Sequence, residues 1–141
     1  MCIMKKRTPI STIMTTDLIT IGVNESLETV EKLFKENNIR HIPVVENKKI
    51  LGMLSYTDLL RISFADITDD EKNVDTFVYD MFTVAQVMAK DVFVVSAYAT
   101  IKDVSELLSK KEFHALPIVE DNELVGIVTT TDLINYLVDQ L

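Results

Sequence analysis

At 141 residues the chain holds one domain of ordinary size or two very small ones, and it is too short for a large two-domain enzyme or a (β/α)8 barrel. Its 48% hydrophobic and 26% charged residues are a globular composition, and a chain of this length buries roughly 70% of its unfolded surface without staples. Fourteen Lys and Arg against 22 Asp and Glu leave a net charge of −8, which repels a phosphate backbone and argues against nucleic-acid binding.

At the N-terminus, Lys5, Lys6 and Arg7 are followed by Thr8, Pro9, Ser11 and Thr12, where a signal peptide needs its apolar stretch. No apolar run in the chain reaches membrane-spanning length, so no membrane association is expected. Cys2 is the single cysteine, which excludes an internal disulfide. A zinc site would have only Cys2, His41 and His114 beyond its carboxylates, so no metal is expected, and a reducing cytoplasm fits best.

From residue 13 onward the chain repeats itself. A shift of 74 residues aligns 13–60 with 87–134 without a gap, and 11 of those 48 pairs are identical, among them Met14/Met88, Asp17/Asp91, Pro43/Pro117, Gly52/Gly126, Thr57/Thr131 and Asp58/Asp132. Most other pairs exchange one apolar residue for another, so the halves share a fold. Residues 18–21 and 92–95 read as short strands, and Ser26 and Thr100 read as helix N-caps. Behind those caps Leu27, Val30, Leu33 and Phe34 match Ile101, Val104, Leu107 and Leu108, a spacing that puts each set on one helical face. Residues 42–46 and 116–120, the polar turns 47–49 and 121–123, and residues 50–55 and 124–129 read as hairpins. Pro43 and Pro117 are expected near the first residue of a strand, and a closing helix is expected from near Thr57 or Thr131.

The expected fold is therefore α/β of the α+β kind: two β-α-β-β-α units, 8–62 and 83–141, joined by an acidic linker over 63–82. Neither unit hides its apolar surface alone, so they should pack together, most simply about a pseudo-twofold axis with one cleft each. The linker carries Asp66, Asp69, Asp70, Glu71, Asp75 and Asp80 against Lys72 alone. Its acids miss EF-hand spacing and lack the central Gly, which favours a solvated connector. Phe77, Val78, Tyr79, Met81 and Phe82 suggest that its second half is pinned to the body.

The segments that could carry chemistry are 52–58 and 126–132, each ending a strand and opening a helix. A helix start favours an anion, and the hydroxyls of Ser55, Thr57, Thr129 and Thr131 can donate to phosphate. Asp58 and Asp132 can accept two hydrogen bonds, as from the vicinal hydroxyls of a ribose. The plain alternative is helix capping, worth about 1 kcal/mol; duplication in matching places favours a ribose-phosphate site. A cation must come from elsewhere, and Arg40 precedes Pro43 where the second copy has His114. Residues 1–65 hold 9 basic and 7 acidic residues, or +2, against 5 and 15, or −10, in 66–141. Arg40 therefore stands in the half with a positive balance.

The hydrophobic-x-x-hydrophobic-Met segments ending at Met14 and Met88, the RHIPVVE and HALPIVE segments and the two G-h-h-S/T-x-x-D segments, in order and in two copies, resemble a tandem pair of cystathionine-β-synthase (CBS) domains from about residue 9 to 137. The resemblance implies a regulatory module for an adenosyl ligand, AMP, ADP, ATP or S-adenosylmethionine, with no catalysis, no cofactor beyond that nucleotide, and often a homodimer. It implies a first site of Ser55, Thr57 and Asp58 with the main chain of 14–17, which includes Met14 and Thr16, and of 40–42, which includes Arg40, His41 and Ile42. It implies a second site of Thr129, Thr131 and Asp132 with 88–91, which includes Met88, Lys90 and Asp91, and with 114–116, which includes His114 and Ala115. Arg40 and His41 would reach the phosphate of the Asp132 site, whereas the first site would receive only His114 and Ala115. An effector protein would have to be joined in trans.

Two other functions compete. One is a ligand-free homodimerisation module seamed by Leu133, Ile134, Leu137, Val138 and Leu141. The other is an enzyme using Asp58 and Asp132 as an acid/base pair, which the absence of GxSxG, P-loop, HExxH or paired Cys/His motifs disfavours.

Overall fold

In the computed structural model the described residues are 7–65, Tyr79, 81–111 and 113–141. They fall into two compact units, Ile19–Val92 and Met1–Leu18 with Phe93–Leu141. The body of the predicted linker, 66–78 with Asp80, and Cys2 lie outside the described residues.

In the unit Ile19–Val92, Ser26 caps helix α1 (Leu27–Asn37) by accepting from the Thr29 N–H at 3.2 Å. The helix stops at Asn38, whose φ of 57° is the left-handed conformation in which asparagine commonly ends helices. Strands β1 (His41–Glu46) and β2 (Lys49–Ser55) form an antiparallel hairpin. Asn47 and Lys48 both take positive φ, the geometry of a two-residue type I′ turn that matches strand twist, so Lys49 already belongs to β2. Helix α2 (Tyr56–Ala65) and the short helix α3 (Val84–Val87) follow. Ile21, Leu27, Val30, Phe34, Ile42, Val44, Leu54, Leu59, Tyr79 and Val84 form the core, with Phe82 against it. Each such side chain contributes roughly 1.5–3 kcal/mol on full burial. Tyr79 and Phe82 thus tie the end of the acidic stretch to this unit, whereas Met81 is 56% exposed and Phe77 and Val78 lie outside the described residues.

In the other unit, strand β3 (Val95–Ser96) runs parallel to β4 (Ala115–Glu120), which pairs antiparallel with β5 (Glu123–Thr129). Helix α4 (Ile101–Lys110) starts in a reciprocal cap between Thr100 and Asp103, and helix α5 (Thr130–Gln140) ends the chain. A 3-10 turn at Ile10–Thr12 joins this unit: Ile10 N–H donates to the Ala99 carbonyl at 2.7 Å, Ile101 N–H donates to that of Thr8 at 2.8 Å, and Ile10 is fully buried.

Two expectations are corrected. The strands over 18–21 and 92–95 shrink to a parallel bridge from Ile21 to Val44 and to two residues at Val95–Ser96, because the chain must leave the sheet to reach the caps at Ser26 and Thr100. Pro43 and Pro117 are third in their strands, not first. They fit there because their partners Met53 and Ile127 direct N–H and C=O away, to Ala89 and Thr15, so no ladder bond from proline is needed.

Candidate functional site

Each G-h-h-S/T-x-x-D segment folds as a strand end locked to a helix start. At the head of α2, Asp58 N–H donates to Ser55 Oγ at 3.0 Å and Ser55 N–H donates to Asp58 Oδ2 at 3.3 Å. At the head of α5, Asp132 N–H donates to Thr129 Oγ1 at 3.1 Å and Thr129 N–H donates to Asp132 Oδ2 at 2.9 Å. Both are capping boxes, so the capping role is real. Capping leaves chemistry over, because the Ser55 and Thr129 hydroxyls accept in the cap and keep a proton to donate, while each carboxylate caps through Oδ2 alone. All four residues are half-buried, whereas Thr57 and Thr131 are exposed.

The residues ahead of the proline strands are fastened to the same helix starts. Tyr56 N–H donates to the Arg40 carbonyl at 2.8 Å, and Thr130 N–H donates to that of His114 at 3.1 Å. In the strand registers His41 faces Ser55 and Ala115 faces Thr129. Arg40 and His114 are exposed, His41 and Ala115 half-buried, and Ile42 is wholly buried in its core, which leaves only its main chain for a ligand.

The methionine segments are placed differently from the grouping read in sequence. Thr15 exchanges main-chain hydrogen bonds with Ile127 at 2.8 and 3.0 Å, so Met14, Thr16 and Asp17 lie in the unit of the Asp132 segment. Ala89 does the same with Met53 at 2.9 and 3.0 Å, so Met88, Lys90 and Asp91 lie in the unit of the Asp58 segment. The two glycines explain the exchange. A Cβ on Gly126 would lie 2.5 Å from Met14 Sδ, and one on Gly52 would lie 2.5 Å from Met88 Sδ. Glycine is thus required by a packed methionine, and Met14 and Met88 are packed against the cores of these units. Thr16, Lys90 and Asp91 are exposed.

One residue near the site escaped the sequence reading. Arg61 Nη1 lies 3.6 Å from Asp58 Oδ1, one helical turn on. The i,i+3 spacing of Asp58 and Arg61 was the available signal. The matching position of the second copy is Asn135, and among the described residues no ion pair involves Asp132. No group of His, Cys, Asp or Glu among the described residues is arranged to hold a metal ion, and none of their helices is long and apolar enough to cross a membrane.

The family model of the CBS domain matches residues 10–65 and again 84–139. The CBS domain-containing protein YhcV of Bacillus subtilis is 31% identical over 120 residues, covering 85% of this chain and 79% of that protein. Several other curated relatives are longer, and this chain spans 33% to 44% of their length. Among solved structures, CBSX2 in complex with AMP superposes with a TM-score of 0.77 at 21% identity, over 94% of this chain and 97% of that one. The CBS domain pair of protein MJ0100, in complex with 5′-methylthioadenosine and S-adenosyl-L-methionine, gives 0.79 at 23% identity, over 95% and 98%.

Proposed function

Since the chain belongs to the CBS-domain family and carries two copies of the domain, we propose that it is a regulatory, non-catalytic module that binds an adenosyl ligand and passes occupancy to a partner protein or to its own dimer. The observation that carries this reading is the duplicated capping box, in which an aspartate holds its helix through Oδ2; Oδ1, beside Arg61 in the first copy, is the oxygen we assign to ribose hydroxyls. Ser55 and Thr129, with the exposed Thr57 and Thr131, supply hydroxyl donors for phosphate beside a helix start. Met14 and Thr16 then flank the Asp132 half-site, and Met88, Lys90 and Asp91 the Asp58 half-site. The resemblance further assigns Arg40 and His41 to the phosphate at Asp132. Complexes of CBS proteins with AMP and with S-adenosyl-L-methionine support the ligand class.

Calorimetric titration with AMP, ATP and S-adenosylmethionine tests the reading. Binding that Asp132→Asn or Asp58→Asn weakens is expected, and silence from all three overturns it. Arg40→Ala should weaken ATP more than adenosine if the cation assignment holds.

A second reading, a homodimerisation module without ligand, draws on one observation: Ile134, Leu137 and Val138 on α5 and Leu141 just after it are 59%, 43%, 61% and 86% exposed. Leu133 does not join that face, because it packs on its own core. A dimer in sedimentation that Val138→Glu dissociates, together with calorimetric silence, would favour this second reading.

A further inference from the structure

We propose that Arg61 is a specificity residue that gives the Asp58 half-site a cation of its own and tips it toward phosphorylated adenosyl ligands; the inference rests on the adenosyl reading above. An aspartate suited to a ribose is badly suited to a neighbouring phosphate, since its charge repels the anion. At Asp58 that charge is offset locally, because the Arg61 guanidinium stands 3.6 Å from Oδ1, the oxygen not engaged in the cap. The Arg61 side chain is 75% exposed, so it is not held in a buried network and can shift toward an incoming anion. At Asp132 the same turn of helix presents Asn135, which has no charge, and among the described residues no ion pair involves Asp132. Sequence comparison alone left the first half-site short of a cation, and the helix geometry supplies one.

Arginine in this position has two effects of one sign. It neutralises the repulsion between Asp58 and phosphate, and a bound phosphate can draw the guanidinium off Oδ1 and free that oxygen for ribose hydroxyls, which a neutral nucleoside cannot do. Because the Arg61 side chain is solvent-exposed, the preference is modest and sensitive to salt.

The test uses the full chain with Asp132→Asn, which leaves the Asp58 half-site, and titrates adenosine and AMP by calorimetry at low and high salt. Adding Arg61→Asn should weaken AMP about three- to fivefold while changing adenosine less than about twofold, and the AMP effect should shrink at high salt. Arg61→Lys should retain most of the AMP affinity. Conversely, Asn135→Arg in the Asp58→Asn protein should strengthen AMP over adenosine by a similar factor. Circular dichroism on each variant confirms folding. An AMP-to-adenosine ratio unchanged by Arg61→Asn, or equal losses for both ligands, overturns the inference while leaving the adenosyl reading intact. Failure of wild-type protein to bind either ligand overturns the adenosyl reading, and this inference with it.

Discussion

The two compact units solve one structural problem with segments from different parts of the chain. In Ile19–Val92 the methionine segment that covers the glycine follows its hairpin in sequence, so Met88 over Gly52 closes a continuous stretch. In the other unit the covering segment is the start of the chain, so Met14 over Gly126 closes a loop of more than a hundred residues. The contacts are near copies, while the cost of bringing their ends together differs through loop-closure entropy. A sequence repeat is therefore not a spatial unit: each half of the repeat gives its first segment away.

The sharpest way to break this comparison is to remove the buried anchor of each segment. Ile10 and Val84 occupy matching positions and are both fully buried. Ile10→Ala should cost about 2–5 kcal/mol, and Val84→Ala less, about 1.5–3 kcal/mol, for the smaller volume deleted. Hydrogen exchange should show Ile10→Ala loosening 93–141 before 19–92; the reverse order would break the comparison.

Next in size are the glycines. Gly52→Ala sets a Cβ 2.7 Å from the Ala89 carbonyl oxygen as well as against Met88, whereas Gly126→Ala meets the Thr15 oxygen at 3.1 Å and a flexible Met14. Both should destabilise by about 1–3 kcal/mol in chemical denaturation, with Gly52→Ala the worse because a backbone atom must move. Equal losses would mean that the methionine contact alone sets the cost.

Smaller again are the caps. Ser55→Ala and Thr129→Ala should each cost about 1 kcal/mol of stability. Each should also weaken adenosyl binding at its own half-site, and loss of stability with ligand affinity intact would confine these hydroxyls to capping.

The smallest expected effect distinguishes the units by pH. Burial pushes the Glu31 carboxyl up, but hydrogen bonds from Lys35 and Tyr79 and the Lys35 charge outweigh it and hold the group below its usual value. A depressed carboxyl contributes stability above its unfolded pKa and loses it as pH falls through the folded one. Glu31→Gln should therefore destabilise at neutral pH, with the difference from wild type fading on acidification. The matching residue of the other repeat, Ser105, has no such dependence.

Much of the fold was legible because its signals are local. The caps at Ser26 and Thr100, the apolar faces behind them and the polar turns at 47–48 and 121–122 depend on residues within one turn of each other. The prolines were harder to place, since their tolerance depends on where Met53 and Ile127 send their hydrogen bonds. Charge balance was the least legible from the chain order. The contrast of +2 and −10 between sequence halves becomes 8 basic against 13 acidic residues, −5, in Ile19–Val92 and 6 against 9, −3, in the other unit. For the site, the acids, hydroxyls and pre-proline residues could be read from the repeat, while their grouping with the methionine segments could not.

Sequence by itself determined the duplication, the hairpins, the capped helices and the family, because periodicity, turn chemistry and motif spacing are written along the chain. Only tertiary structure decided that Met14 attends the Asp132 segment and Met88 the Asp58 segment. The physical reason is that bridges such as Thr15 to Ile127 join strands far apart in sequence, and main-chain pairing of that kind leaves no residue pattern to read.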